Sequence, residues 1–257
     1  MGLTHHEHGV RNVVALANLA LARGWVGREG CGLLPIRGHS NVQGVGSVGF
    51  APALKEAFAK KMEEVYGIPP ASTPGPRHLP LHGGGRDAGR SASRVFLGGN
   101  LFGSNPDRAW SARALQRIGT TCGITTKLNE GHVHGRGRYH VVLPVLARDE
   151  EKQSTTQESM FNFVRLSDGG ETPRRRASIR SEVEVDLRAR RAPAPPGPFP
   201  FETMTSHDAV RRAMAAVVPG YAPIASIGAT KAEFQIPGRT FHEPTFATPS
   251  GPARALR

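Results

Sequence analysis

Eight glycines fall within residues 24–49, directly after a helical apolar stretch, and this density constrains the fold more than any other feature of the chain. Glycine lets backbone N–H groups approach a ligand closely and takes up conformations that other residues resist. Within the loop, Arg37 stands among the neutral amides and hydroxyls of Ser40, Asn41 and Gln43. A guanidinium there offers one fixed fork of donors to a charge. The stretch reads as a wrap for a large phosphorylated cofactor. A helix delivers it: over residues 8–23, Val13, Leu16, Ala17 and Ala20 recur at helical spacing, and Gly24 ends the pattern. A packed helix is expected there.

Further elements follow from periodicity. Residues 52–66 read as a helix with Leu54, Phe58, Met62 and Val65 on one face. Residues 94–100 read as a short buried strand entering a turn, and 107–118 as the helix after it. Strands are expected at 119–127 and 139–146, the second an apolar run of the fully buried kind. A helix capped by Ser206 runs to 218 and stops at Pro219-Gly220, and 234–249 reads as extended loop. Strand, loop and helix in this order imply an α/β fold with a doubly wound, mostly parallel sheet, its ligand expected at the carboxyl ends of the strands.

Three windows, 69–93, 174–200 and 251–257, are crowded with Pro, Gly, Ala, Arg and Ser and lose apolar periodicity. Two explanations fit: divergent surface loops, or a slipped reading frame in a GC-rich gene. The windows carry much of the formal charge of +12, through Arg77, Arg86, Arg90, Arg174, Arg175, Arg176, Arg180, Arg188, Arg190 and Arg191. No interleaved aromatics stack bases there, so nucleic acid is not the expected partner. Cys31 and Cys122 are too few and too far apart for a four-thiolate cluster or structural zinc. His5, His6, His8, His132 and His134 lack a carboxylate or thiol to complete a spaced metal set. Asp149, Glu150, Glu151 and Lys152 read as a solvated charge run.

Several ordered motifs carry a family resemblance. They are Gly27-Arg28-Glu29-Gly30, Pro35-Ile36-Arg37-Gly38-His39-Ser40-Asn41-Val42-Gln43-Gly44, Leu97-Gly98-Gly99-Asn100 through Asn105-Pro106-Asp107, Leu128-Asn129-Glu130-Gly131-His132-Val133-His134, and Thr155-Thr156-Gln157-Glu158. In this order they resemble the molybdopterin-dependent oxidoreductases, in particular the formate dehydrogenase alpha-subunit-like branch. Enzymes of that kind are much longer and built from several domains, so the chain reads as an internal piece. The expected organisation is an α/β region over 1–170, an Arg/Pro-rich segment over 171–205, and a helix with an extended tail over 206–257.

The resemblance implies molybdenum carried by two molybdopterin guanine dinucleotides, with a 4Fe-4S cluster held outside this segment. Gly38, Asn41, Gln43, Thr156 and Gln157 would contact the cofactor. Gly98, Gly99, Asn100, Ser104, Asn105 and Asp107 would form its guanosine pocket, unless they make only a strand-to-helix turn with an Asn-Pro-Asp cap. Arg37 would lie near the metal and orient a small anionic substrate, or else pin the loop by hydrogen bonds. His39 stands where formate dehydrogenases usually carry Gln, as a proton acceptor or as a hydrogen-bonding spacer. The family's molybdenum-ligating Cys or selenocysteine lies upstream of the matched segment, so Cys31 does not inherit that role. Expected partners are the rest of the oxidoreductase chain, an electron-acceptor protein and a small-molecule substrate, in the cytoplasm and with no membrane span. The fragment alone is expected to be inactive. The competing reading is a basic nucleotide-binding module without a redox metal, or an inactive gene fragment.

Overall fold

Three short strands, β1 (Ser93–Leu97), β2 (Thr120–Thr125) and β3 (Tyr139–Pro144), pair in parallel in sequence order. Their register sets Phe96 beside Gly123 and Gly123 beside Val142. The fold is therefore α/β, as the strand and helix pattern implied. The computed structural model describes residues 2–51, 54–70, 93–172, 178–185, 197–237, 243–246, 248–253 and 255. Most of the three pattern-breaking windows lies outside these residues, as do Arg77, Arg86, Arg90, Arg174, Arg175, Arg176, Arg188, Arg190, Arg191 and the start of the expected 52–66 helix.

The chain divides into two compact units, one formed by residues 1–44, 157–165 and 233–257, the other by 45–156 and 166–232. In the first, helix α1 (Gly9–Ala22) forms where the periodicity puts it, and the chain turns at Gly24 with φ +64°. Its packing differs from expectation: only Gly9 and Ala20 are buried, while Val13, Leu16 and Leu19 are exposed. The glycine loop does not stay irregular, because α2 (Val42–Ser47) starts inside it. Asn41 precedes α2 at φ +58°, and its side-chain carbonyl accepts the Glu158 backbone N–H at 3.0 Å. Gly44 leaves room for that side chain, since a Cβ there would lie 2.2 Å from Asn41 Oδ1.

Strands β4 (Thr155–Glu158) and β5 (Phe163–Ser167) follow, and β5 pairs antiparallel with β6 (Phe234–Gln235). The turn between β4 and β5 is held by Asn162 at φ +63°, whose Nδ2 donates to Glu158 Oε1 at 2.8 Å. The 234–249 segment thus opens with a strand that sequence reading assigned to loop.

In the second unit, helix α3 (Glu56–Tyr66) packs on the His207–Val217 helix. That helix begins as expected, with the Ser206 hydroxyl accepting the Ala209 N–H at 3.2 Å. It continues into a 3-10 turn, Ala222–Ala225, around the fully buried Ile224 and Ile227. On the face of the parallel sheet that carries Phe96, helix α4 (Arg108–Leu115) closes a core of Phe102, Leu115 and Ile118, with Phe96, Leu101 and Ala112 packed against it. Asp107 caps α4 by accepting the Trp110 N–H at 2.8 Å. The Asp149 to Lys152 run is a folded turn rather than a free charge run: Glu150 accepts the Ala147 N–H and Glu151 accepts the Gln153 N–H through their carboxylates. Among the described residues no helix is long and apolar enough to cross a membrane.

Leu115 is 1% exposed at the centre of the core that ties α4 to the sheet. Leu115→Ala is expected to destabilise this unit by about 2–5 kcal/mol, through lost transfer energy and a residual cavity. Urea unfolding followed by circular dichroism measures it, and a loss below about 1 kcal/mol would mean that the core collapses around the gap.

Candidate functional site

The carboxyl end of β1 runs into Gly98 and Gly99, at φ +62° and +69°, a left-handed pair that residues with a Cβ adopt only under strain. Ideal Cβ atoms at these two positions would meet no atom of the described residues within 4 Å. Beside them lies a cavity of about 730 Å³ within the larger unit, bounded by the β1 turn, by Gly123 in the middle of β2, and by the loop after β2. The cavity follows β1 from Arg94 to Leu97, reaches His140 near the start of β3, and extends to the carboxyl end of β1, the end at which α/β proteins bind ligands.

Side-chain amides lock the rim. Asn129 Nδ2 donates to the Gly99 carbonyl at 3.0 Å, and its Oδ1 accepts the Gly131 N–H at 2.9 Å. Asn100 Oδ1 accepts the Gly103 N–H at 2.8 Å, and Arg108 pairs with Glu130 at 3.1 Å. Several of these side chains sit where only glycine fits opposite: a Cβ on Gly131 would lie 2.6 Å from Asn100 Oδ1, and one on Gly103 would lie 2.6 Å from Glu130 Oε1. The turn is thus built to hold the Gly98-Gly99 backbone open.

Two imidazoles form the floor. His132, in the short helix α5 (Gly131–His134), accepts the Asn129 backbone N–H through Nδ1 at 3.0 Å. His140, on β3, contacts the Thr121 hydroxyl through Nδ1 at 2.8 Å, and that hydroxyl also accepts the Gly137 N–H at 3.0 Å. The rings lie 5.8 Å apart, and His140 Nε2 is buried without a hydrogen-bond partner among the described residues. Burial pulls the pKa of His140 below its ordinary value, and the neighbouring His132 and Arg136 act in the same direction against a contribution from Thr121 that raises it. With Nδ1 engaged by Thr121 and Nε2 buried, His140 shapes the floor rather than offering a free donor and acceptor.

The expected site residues divide. Gly98, Gly99, Asn100 and Ser104 line the cavity. Asn105 and Asp107 do not; Asn105 Nδ2 donates to the Leu101 carbonyl at 2.6 Å and Asp107 caps α4, so both serve the turn. Arg37, Gly38 and His39 are exposed on the glycine loop of the other unit, while Asn41 and Gln43 are half-buried there. Thr156 lines a second, smaller cavity, and Gln157 is a half-buried residue of β4. Sequence reasoning missed Gly123, Asn129, His132 and His140 as one group. A signal existed, since the Asn129 to His134 run matched the family pattern, but His132 was weighed only as a metal ligand. No group of three or more His, Cys, Asp or Glu among the described residues is placed to hold a metal ion.

No model of a known protein family matches the chain. Individual proteins do. The chain is 34% identical over 229 residues to an uncharacterized oxidoreductase of Mycobacterium tuberculosis, which covers 86% of this chain and 29% of that protein. It is 36% identical over 176 residues to protein YdeP of Escherichia coli, covering 66% of this chain and 23% of that one. Over 66 residues it is 44% identical to a formate dehydrogenase alpha subunit of Methanocaldococcus jannaschii, covering 26% and 10%. The chain is related to oxidoreductases, and it spans less than a third of the length of the curated relatives it matches.

The depressed pKa of His140 carries a stability prediction. Between its folded value and the ordinary 6.5, the unfolded chain binds the proton that the folded chain resists. The contribution is therefore constant above 6.5 and is lost as pH falls below it. From about pH 7.5 to about pH 5.5 the urea midpoint of the wild type should fall more steeply than that of His140→Gln. Parallel slopes would assign the pH dependence to other groups.

Proposed function

We propose that this chain is a segment of a molybdenum oxidoreductase resembling formate dehydrogenase, and that the cavity at the end of β1 seats the guanosine end of a molybdopterin guanine dinucleotide. The observation that carries this reading is the Gly98-Gly99 turn, opened toward a cavity of about 730 Å³ in a chain related to oxidoreductases. The residues fit such a group. The absent side chains of Gly98 and Gly99 let a diphosphate come close to the backbone at the strand end, although the Gly98 N–H itself donates to the Ile124 carbonyl at 2.8 Å. Asn100 Nδ2 and His132 Nε2, which the rim contacts do not use, would meet a purine edge or ribose.

The molybdenum centre would supply the two-electron redox chemistry. This chain's own contribution would be to hold the nucleotide arm, and to offer Arg37 and His39 from the glycine loop. Arg37 is permanently charged and could orient a small anionic substrate through its planar fork. His39 could act as a proton acceptor or as a hydrogen-bonding spacer. Gly38, Asn41, Gln43, Thr156 and Gln157 are proposed as further cofactor contacts on the strength of the resemblance. The rest of the oxidoreductase polypeptide would carry the metal's protein ligand and a 4Fe-4S cluster, passing electrons to an acceptor protein in the cytoplasm. A basic nucleotide-binding module without redox metal would need only the cavity, and the exposed Arg37 and His39 favour keeping that second reading.

Gly99→Val separates cofactor from fold. Among the described residues no atom opposes the new side chain, so the structural cost is the strained φ, about 1–3 kcal/mol. Produced together with the remainder of its polypeptide in a host that makes the cofactor, the variant should lose most of its molybdenum and guanosine while keeping a cooperative melting transition. Full occupancy in the variant would refute the pocket. Fold and cofactor lost together would leave the turn-only reading standing.

A further inference from the structure

The two faces of the parallel sheet differ in their cover. Register puts Val95, Cys122 and Val141 in one row across β1, β2 and β3, and Leu97, Ile124 and Leu143 in the next, all on the face opposite Phe96 and Gly123. The Phe96 face packs with α4. On the other face Val95, Leu97, Tyr139 and Val141 are exposed. Parallel sheets carry helices on both faces, because their strands bring apolar side chains to each. Exposed apolar residues contiguous on so short a sheet therefore mark a surface that something else covers.

The same face runs into an apolar groove of about 520 Å³, lined by Val95, Leu97 and Ile124 of the sheet, by Phe58 and Met62 of α3, and by Met214 of the His207–Val217 helix. Methionine side chains adapt to the shape of an occupant. Such a groove takes the apolar side of an amphipathic helix, anchored through residues three and four apart.

The charges nearby define the flank of that helix. The Arg138 N–H donates to the Ile118 carbonyl at 2.9 Å, so Arg117 and Arg138 stand together at the amino-terminal ends of β2 and β3. Both are exposed, and neither has a carboxylate partner among the described residues. Between residues 108 and 148 the one carboxylate is Glu130, and Arg108 already holds it. Tyrosine and arginine beside apolar side chains are what protein interfaces are enriched in. A second copy docked about a two-fold axis would set these arginines against their own image. Nucleic acid calls for a series of stacking aromatics, and this sheet face offers Tyr139 alone.

We propose that this face is a docking surface for an amphipathic helix with an acidic flank, carried by the part of the oxidoreductase polypeptide beyond this chain, a docking that rests on the segment reading but not on its cofactor. The apolar side of the helix lies on Val95, Leu97 and Val141, and its carboxylates meet Arg117 and Arg138. The matched residues make up 29% of the mycobacterial relative, so a polypeptide of that kind has ample length to supply the helix.

The test uses the 257-residue chain produced together with the remainder of its polypeptide, with the photocrosslinker p-benzoylphenylalanine in place of Val141. Irradiation should join it to an apolar stretch flanked by Asp or Glu in the companion polypeptide. Crosslinks only to a second copy, to RNA or within the chain would overturn the proposal, as would none at all. Val141→Asp should weaken the association at least about tenfold, and so should Arg117→Glu combined with Arg138→Glu, while the melting transition stays in place because all three positions are exposed. Unchanged association in either variant would overturn the docking. Molybdenum content of the same samples keeps the readings apart: association through this face without molybdenum removes the cofactor reading alone, and molybdenum bound with association indifferent to Val141 and the two arginines removes the docking alone.

Discussion

The parallel register of β1, β2 and β3 is the constraint on which the candidate site depends. Pairing Phe96 with Gly123 and Thr121 with His140 brings together groups far apart in sequence. It aligns the carboxyl ends of β1 and β2, so that Gly99 and Asn129 meet across the rim. It also places an absent side chain where it matters: a Cβ on Gly123 would lie 3.1 Å from the His132 ring, so a side chain there would press the imidazole away by a few tenths of an ångström. A slip of one residue would turn Thr121 and Gly123 to the other face and separate His140 from its hydroxyl partner.

Much of this was legible locally. The 94–100 strand, the Asp107 cap and the Ser206 cap all have short-range signatures and appear close to their expected places, but the strands expected to be buried leave Val95, Leu97, Tyr139 and Val141 exposed. The site as a group was not legible, because Thr121, His132 and His140 become neighbours only through strand register, which periodicity alone does not set. Helix α1 shows the opposite failure. Its apolar spacing is real, yet Val13, Leu16 and Leu19 are exposed, since periodicity marks a face and says nothing of what covers it. Arg211 was hidden for a third reason: an arginine on an amphipathic helix reads as solvated, and only the fold shows it 5% exposed with an unpaired Nε.

The cavities of the larger unit differ in chemistry. The one at the β1 turn has an apolar wall, through Val95, Phe96 and Leu97, edged by the Gly98-Gly99 backbone, Asn129 and His132. The one beneath the His207–Val217 helix sets Arg211, already paired with Asp208, beside Glu151 and Glu182.

Amide chemical-shift mapping of the 257-residue chain with added guanosine diphosphate tests the central reading most directly. The account predicts saturable shifts concentrated at Gly98, Gly99, Asn129 and Gly131, with the His132 and His140 ring protons moving in step. Shifts absent from these residues while others titrate, or no saturable shift at all, would contradict a nucleotide site at the end of β1.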